Sequence, residues 1–402
     1  MANDRRRVCV LSNGCPENRL DAARSREFFA ANDHPIVTDY RRADLIFFNA
    51  CGLTEDSETL SLRVIRHIQN HKRRDAELVV YGCLGRIHPE RLRPLYGGDA
   101  FGSDELDRLE AYTQVRRPVA GIRTHTMIPF LELPAMEKLR VHRRGILSWP
   151  TLKEILCGYP DTYNDDTFCI KISSGCIHHC TYCAVKNARG DVRSRPLVEI
   201  AAGFDTARSR GQADIALIGT DLGSYGRDNG GGLIQLLHTL LERDGPYRIK
   251  LRNLHPRYLI HHLDSFLELL RRDRIVFIGT SVQSGSNRIL HRMGRGYTVE
   301  SFLDAVGRIT ASFPSVRLGT QVMAGFPGES REDFQATLAA LDGLKLDVVE
   351  PFLYQRRPHT RAATFPDQVP ESVARRRFRS LVFRCITREK TTRNTRRSRS
   401  DG

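Results

Sequence analysis

Apolar residues fall along this chain in two alternating patterns, short continuous runs and stretches where they recur every three or four positions. In the first third, Val8 to Ser12, Asp44 to Ala50 and Leu78 to Gly82 are runs of the kind that form buried strands. The segments 18–32 and 57–71 between them carry apolar residues near helical spacing. Strands separated by helices predict an α/β fold, here an N-terminal doubly wound parallel sheet. From Phe168 onward six further runs recur, at 168–173, 213–219, 248–254, 275–282, 316–326 and 346–354, with helical patterns at 200–210, 233–243, 259–271, 302–310 and 331–341. Six consecutive βα units predict a partial (β/α)6 TIM-like barrel, in which chemistry sits on loops at the C-terminal strand ends.

The stretch from about 100 to 165 is less periodic and contains Pro118, Pro129, Pro134 and Pro150, so it reads as the end of the first domain plus a linker. After Pro370, a basic helix-like stretch (374–390) leads into an Arg-rich segment from Thr391 with the composition of a disordered tail. The expected division is therefore 1–150, 151–370 and 371–402.

Composition narrows the setting. A chain of 402 residues is long enough for two or three cores. No apolar run approaches the ~20 residues that cross a bilayer, and the N-terminus lacks the apolar core and cleavage site of a secretory signal. A cytoplasmic protein with no membrane partner is expected. In that reducing setting its ten cysteines point to metal, cluster or packing roles before disulfides. The formal charge of +15, carried by 62 Lys and Arg, favours polyanionic partners, nucleic acid first.

Directly after the Phe168 run stands Gly175-CIHHCTYC, which holds Cys176, Cys180 and Cys183. Three thiolates so spaced can hold three irons of an iron–sulfur cube and leave the fourth without a protein ligand, where a small molecule binds and accepts an electron. A Cys3His zinc site using His178 or His179 is the rival. A core helix would also place the three on one face, but Ser173-Ser174-Gly175 and the two histidines are a poor composition for one.

Three more cysteines, Cys15, Cys51 and Cys83, each follow an apolar run of the first domain beside a glycine. In a parallel sheet those strand ends lie side by side, so the three thiols can meet; the alternative is three unrelated small core residues. Cys9 and Cys169 are read as strand-packing residues, and Cys157 and Cys385 as incidental.

Together these motifs resemble the radical S-adenosylmethionine methylthiotransferases over most of the chain. Ser12-NGCPENRLD, Asn49-ACG and Val79-VYGCLG are similar to the family's three auxiliary-cysteine motifs. Gly175-CIHHCTYCAVKNARG with Arg193-SRP is similar to its radical loop, and Gly219-TDLGSYGRD, Gln283-SGSNRILHRM, Gly325-FPGE and the segment 354–371 to further signatures. The resemblance implies two [4Fe–4S] clusters, one on Cys176, Cys180 and Cys183 and an auxiliary one on Cys15, Cys51 and Cys83. It also implies an S-adenosylmethionine pocket lined by Gly219, Asp221, Gln283 and the turn Gly325 to Glu329, with Arg193 and Arg195 available to neutralise cofactor or substrate anions.

The implied reaction inserts sulfur at an unactivated C–H and delivers a methylthio group, with an electron donor such as flavodoxin or ferredoxin. The chain departs from the family in reading Asp21-Ala22-Ala23 where Asp-Ser-Glu is usual, and His359 where a Gly is usual. It also shows no strand-rich segment for the usual C-terminal RNA-binding TRAM barrel. Asp221-LGSYGRD and Val282-QSGS are closer to the tRNA-modifying branch, and Asn49-ACG to the protein-modifying branch. The implied substrate is a tRNA adenosine near the anticodon; a protein aspartate, a peptide or a small natural product is the alternative. A non-catalytic iron–sulfur or zinc protein that binds RNA is the alternative of another class.

Overall fold

The computed structural model describes residues 5–131 and 167–400, with the side chains of its last helix as far as Cys385. The first sheet runs β1 (Val8–Ser12), β2 (Leu45–Asn49), β3 (Glu77–Tyr81) and β4 (Ala100–Phe101), in that order and all parallel. Its strands lack polar alternation because both faces are covered, as parallel sheets require. The helix α1 (Pro16–Ala31) packs Ala22, Ala23, Phe28 and Phe29 against Val8, Val10, Leu45 and Phe47. The helix α2 (Glu55–His71) packs Val64, Ile65 and Ile68 against Ile46, Phe48, Leu78 and Val80 on the opposite face. After α1 the chain runs along the outer edge of β1, where Ile36 pairs with Val8, before returning to β2.

The second sheet contains β5 (Phe168–Lys171), β8 (Asp214–Ile218), β9 (Arg248–Leu254), β10 (Ile275–Thr280), β11 (Arg317–Ala324) and β12 (Val348–Leu353). They pair in sequence order, all parallel, from β5 at one edge to β12 at the other. This is the expected six-stranded partial barrel. A two-stranded antiparallel ribbon, β6 (Ser173–Ser174) with β7 (Arg193–Ser194), leaves the end of β5. The helices that link the barrel strands bury Phe204, Leu237, Phe266, Phe302 and Phe334 against one face of the sheet.

Three local readings change. The expected helix over 259–271 is two, Pro256–His261 and Leu263–Leu270, separated at His262, whose φ of −111° and ψ of 25° are not helical. The end of the first domain is more ordered than its weak periodicity suggests, adding β4 and two 3-10 segments, Leu106–Tyr112 and Val119–Gly121; too few residues lie in each for a period to show. The last helix runs Glu371–Ser400, where an irregular tail was expected from Thr391. Its first turns bury Phe378, Leu381 and Val382. Beyond them no Gly or Pro interrupts the run, and Arg is a good helix former. Pro134, Pro150 and Cys157 lie outside the described residues, as does the expected boundary at 150.

The two sheets meet through α1. Leu20 packs on Cys169, Ala216 and Ile218, on the barrel face turned away from the surrounding helices. The N-terminal layer thus covers part of the interior at the β5–β8 edge.

Candidate functional site

Cys176, Cys180 and Cys183 lie on an irregular loop at the C-terminal end of β5 and not on a helix, which removes the core-helix alternative. Gly175 opens it at φ +82°, and a side chain there would collide with the carbonyl oxygen of Asp191. Neighbouring strand-end loops hold the backbone. Gly175 N donates to Thr220 Oγ1 (3.0 Å), Ile177 N to Ser224 Oγ (3.2 Å) and Thr181 N to the Met293 carbonyl (3.0 Å). Burial, followed by the charge of Asp221, pushes the Cys176 thiol up to about 12. Burial and then Cys180 raise Cys183. Arg295 is buried beside the loop, with Nη1 3.4 Å from both Cys180 Sγ and Tyr182 Oη, and Nη2 donating to the Ser281 carbonyl (2.6 Å).

The residues expected to line a cofactor pocket lie on these same strand-end loops, but several of their polar atoms are already engaged. Asp221 is buried and accepts from Ser224 Oγ (2.6 Å), Gly223 N (3.1 Å) and His255 N (3.0 Å). It also lies 3.3 Å from His178 Nε2. Its carboxylate therefore organises the loop after β8, at whose start Gly219 stands. Gln283 sits at φ +70° and bridges β11 through its backbone, leaving its side-chain oxygen buried without a partner. Glu329 accepts from Gly325 N (2.9 Å) and Arg377 Nη1 (2.8 Å), tying the Gly325 turn to the last helix, while its other oxygen has no partner. Burial raises its carboxyl above the usual range. Arg195 donates to the Lys171 carbonyl (3.0 Å) and pairs with Glu199 (3.3 Å), whereas Arg193 is exposed.

His178 stacks on His255 at 3.8 Å between ring centroids. The Nδ1 of His255 accepts from Arg257 N (3.2 Å), so Nε2 carries the hydrogen, and it is buried without a partner. Burial and the charge of Arg295 hold this ring well below the usual histidine range, hence neutral. Cys176, His178 and Asp221 bring ligand atoms within 4.8 Å of one another, the only such group among the described residues. The zinc alternative thus has a geometric counterpart, but with Asp221 in place of Cys180 and Cys183.

The second cysteine set lies at the ends of three neighbouring strands, β1, β2 and β3. Cys15 caps α1 ahead of Pro16, Cys51 follows β2, and Cys83 precedes the short helix α3 (Leu84–Ile87) after β3. Asn13 Oδ1 accepts from Cys51 N (3.0 Å) and Ser61 Oγ donates to the Cys51 carbonyl (2.6 Å), which stitches the first two loops together. Gly82, at φ +106°, lets the third loop approach Ala50, whose carbonyl oxygen would lie 2.9 Å from an added Cβ. Cys51 and Cys83 are buried, while Cys15 keeps an exposed face. Desolvation by the surrounding loops pushes Cys15 up to about 11 and Cys83 up to about 12, with the neighbouring thiols adding to both. Three mutually interacting thiols, a nearby guanidinium and the partnerless amide nitrogen of Asn18 suit a cluster that carries negative charge and accepts N–H bonds at sulfur.

Sequence reasoning missed the buried ions around this set. Arg189, 2% exposed, reaches Asp21 Oδ2 (2.6 Å) and Glu17 Oε1 (3.4 Å), and it also bonds Asn18 Oδ1. Lys171 reaches Asp21 (2.7 Å) and Glu17 (3.2 Å). Arg357 pairs with the fully buried Glu58 and donates to the Gly52 carbonyl (2.6 Å) next to Cys51. The only sequence signal was position, since Arg189 closes the run that follows Cys183 and Glu17 and Asp21 follow Cys15.

Comparison with known proteins shows the family. A model of the Radical SAM superfamily matches residues 170–341, and one described as Uncharacterized protein family UPF0004 matches residues 7–100. The chain is 30% identical to a tRNA-2-methylthio-N(6)-dimethylallyladenosine synthase of Carboxydothermus hydrogenoformans, over 93% of this chain and 82% of that protein. The chain belongs to the radical SAM methylthiotransferase family. Family membership makes it an enzyme and sets aside the non-catalytic alternative. It is also 29% identical to a probable threonylcarbamoyladenosine tRNA methylthiotransferase of Pyrococcus abyssi, over 93% and 83%. Identity is 30% to a ribosomal protein uS12 methylthiotransferase RimO of Geobacter sulfurreducens, over 95% and 82%. In fold this methylthiotransferase is similar to the radical S-adenosylmethionine methyltransferase TsrM of Kitasatospora setae, with a TM-score of 0.60 and 14% identity over 89% of this chain and 75% of that one.

Proposed function

We propose that Cys176, Cys180 and Cys183 hold one [4Fe–4S] cluster, that Cys15, Cys51 and Cys83 hold an auxiliary one, and that the enzyme methylthiolates a tRNA adenosine near the anticodon. The observation that carries the reading is the pair of cysteine trios, each gathered at the C-terminal strand ends of its own parallel sheet and linked through α1. With S-adenosylmethionine bound, such clusters supply one-electron cleavage to a 5′-deoxyadenosyl radical that abstracts hydrogen, and the sulfur that a second S-adenosylmethionine methylates.

The chain's own residues position and shield. Gly175 allows the tight turn that opens the loop carrying the three cysteines. Arg295 places a positive charge against the Cys180 sulfur. Neutral His255 offers Nε2–H, and Gln283 and Glu329 each offer one buried oxygen without a protein partner, so these polar groups are available to S-adenosylmethionine. Gly219, Asp221 and Gly325 act one step back, by shaping the loops that carry them. The domain division 1–150, 151–370 and 371–402 assigns the auxiliary site to the first part and the radical site to the second.

A tRNA substrate is supported by the +15 charge, the Arg-rich last helix and the names of two of the three relatives above. A protein or peptide substrate is the second reading, supported by the equal identity to the uS12 methylthiotransferase. A small electron-transfer protein such as flavodoxin or ferredoxin would reduce the radical cluster. A cytoplasmic setting fits a chain in which no described helix is long and apolar enough to cross a membrane.

Anaerobic reconstitution tests the assignment and should give about eight irons per chain. Cys180→Ala should abolish 5′-deoxyadenosine formation, while Cys51→Ala should retain it and lose methylthiolation. Methylthiolation by Cys51→Ala, or zinc in place of a brown chromophore, overturns the assignment. Nucleoside mass spectrometry of tRNA from a deletion strain decides the substrate.

A further inference from the structure

We infer that Arg189 is a positioning residue of the auxiliary site, which clamps the turn that presents Cys15 and sets a fixed positive charge against the auxiliary thiolates from the barrel side. The inference rests on the two-cluster reading and deepens it.

Arg189 ends a five-residue helix, Val185–Arg189, that leaves the radical loop directly after Cys183. Its neighbours Ala184 and Ala188 pack on Cys83 and Ile87, so this helix lies against the third auxiliary loop. The guanidinium then grips the first turn and a half of α1. Nη1 reaches Asp21, with Glu17 behind it, and Nη2 bonds Asn18 Oδ1. Cys15 is the cap of that helix, so fixing its first turns fixes the backbone that presents the Cys15 thiol.

Asn18 Oδ1 is also the acceptor of the Cys83 thiol, at 3.4 Å. Arg189 and Cys83 therefore share one acceptor atom, which brings the guanidinium within a single residue of two auxiliary cysteines. Lys171 on β5 completes the joint by binding both Asp21 and Glu17. Two cations and two carboxylates thus balance before any thiolate forms. Three thiolates and their cluster add negative charge to a site where Cys51 and Cys83 are buried, and Arg189 is the cation shared between the joint and that site. A guanidinium is charged at any working pH, and a fixed cation beside a cluster makes its reduced form easier to reach. One side chain thus ties the geometry of the sulfur-carrying site to the loop that generates the radical.

The experiment uses the full-length protein with both clusters reconstituted and reads three quantities, 5′-deoxyadenosine formation, methylthiolated product and the midpoint potential of the auxiliary cluster. Arg189→Gln alone leaves Lys171 to serve two buried carboxylates, Asp21 and Glu17, so the neutral variant is Arg189→Gln combined with Asp21→Asn, which leaves Lys171 paired with Glu17. The two charges it removes differ in place, since Arg189 bonds the same Asn18 oxygen as the Cys83 thiol whereas Asp21 bonds Lys171 and Arg189. The variant should therefore cleave S-adenosylmethionine as the wild type does, hold its auxiliary cluster at a more negative potential and lose product by about tenfold or more. Arg189→Lys keeps the charge and loses the fork, and should keep the wild-type potential while product falls.

A wild-type potential together with wild-type product in the neutral variant overturns the inference. So does an Arg189→Lys potential as negative as that of the neutral variant. If Cys51→Ala binds as much iron as wild type, the two-cluster reading fails, and the inference falls with it.

Discussion

Gly175 shows how much one backbone position decides here. At φ +82° any L side chain is strained, and the Asp191 carbonyl leaves no room for one. Gly175→Ala should therefore unsettle the loop of Cys176, Cys180 and Cys183 while leaving the first sheet intact. Reconstituted iron should fall by about half and 5′-deoxyadenosine formation should be lost, with far-ultraviolet circular dichroism unchanged; full iron and full cleavage would contradict the reading. The two cysteine sets were legible as candidates because Cys15, Cys51, Cys83 and Cys176 each follow an apolar run beside a glycine, with Cys180 and Cys183 at short spacing after the last, a pattern visible in one dimension. His255 and Arg295 were not legible. Each is remote in sequence from the loop it serves, and nothing in its own neighbourhood distinguishes it from a solvated His or Arg.

At the scale of elements, α1 does two jobs, and its first two turns explain the departure at Asp21-Ala22-Ala23. Ala22 and Ala23 pack on the sheet, while Asp21 on another face takes Arg189 and Lys171. Burial alone would raise the Asp21 carboxyl, but Lys171 and Arg189 override it and hold it below the usual carboxylate range. A group whose pKa is lowered on folding stabilises fully above its unfolded value, about 3.9 for Asp, and that stability fades as pH falls toward the folded value. Asp21→Asn should cost about 3 kcal/mol near neutral pH, the scale for breaking a buried pair. The gap from wild type should close as pH drops below about 4. Denaturant midpoints of the metal-free protein across that range check it, and a gap independent of pH would contradict the assignment.

On the scale of the whole molecule, the last helix ties structure to partner. Phe378, Leu381, Val382 and Cys385 bury against the barrel, whereas the sequence from 386 to 400 supplies Arg388, Lys390, Arg393, Arg396, Arg397 and Arg399 with one opposing acid, Glu389. A protein ending at Cys385 should fold and still cleave S-adenosylmethionine. Its affinity for tRNA should fall, and the slope of log Kobs against log salt should become shallower by about one unit for each phosphate that the shortened helix no longer neutralises. Unchanged affinity and slope would remove this segment from the RNA surface.

The sequence by itself determined the two parallel sheets, the strand-end position of all six cysteines and the family, because hydrophobic period and short-range motifs are properties of neighbouring residues. Only the tertiary structure decided what surrounds those cysteines. Glu17 and Arg189 are far apart in the chain, and their pairing depends on how α1 settles against the face of β5 and β8. The same packing engages the Asp221 carboxylate and one oxygen of Glu329 in anchoring strand-end loops, and leaves the other Glu329 oxygen without a partner. Which atoms of a charged side chain are already satisfied depends on the three-dimensional neighbours that fold around it.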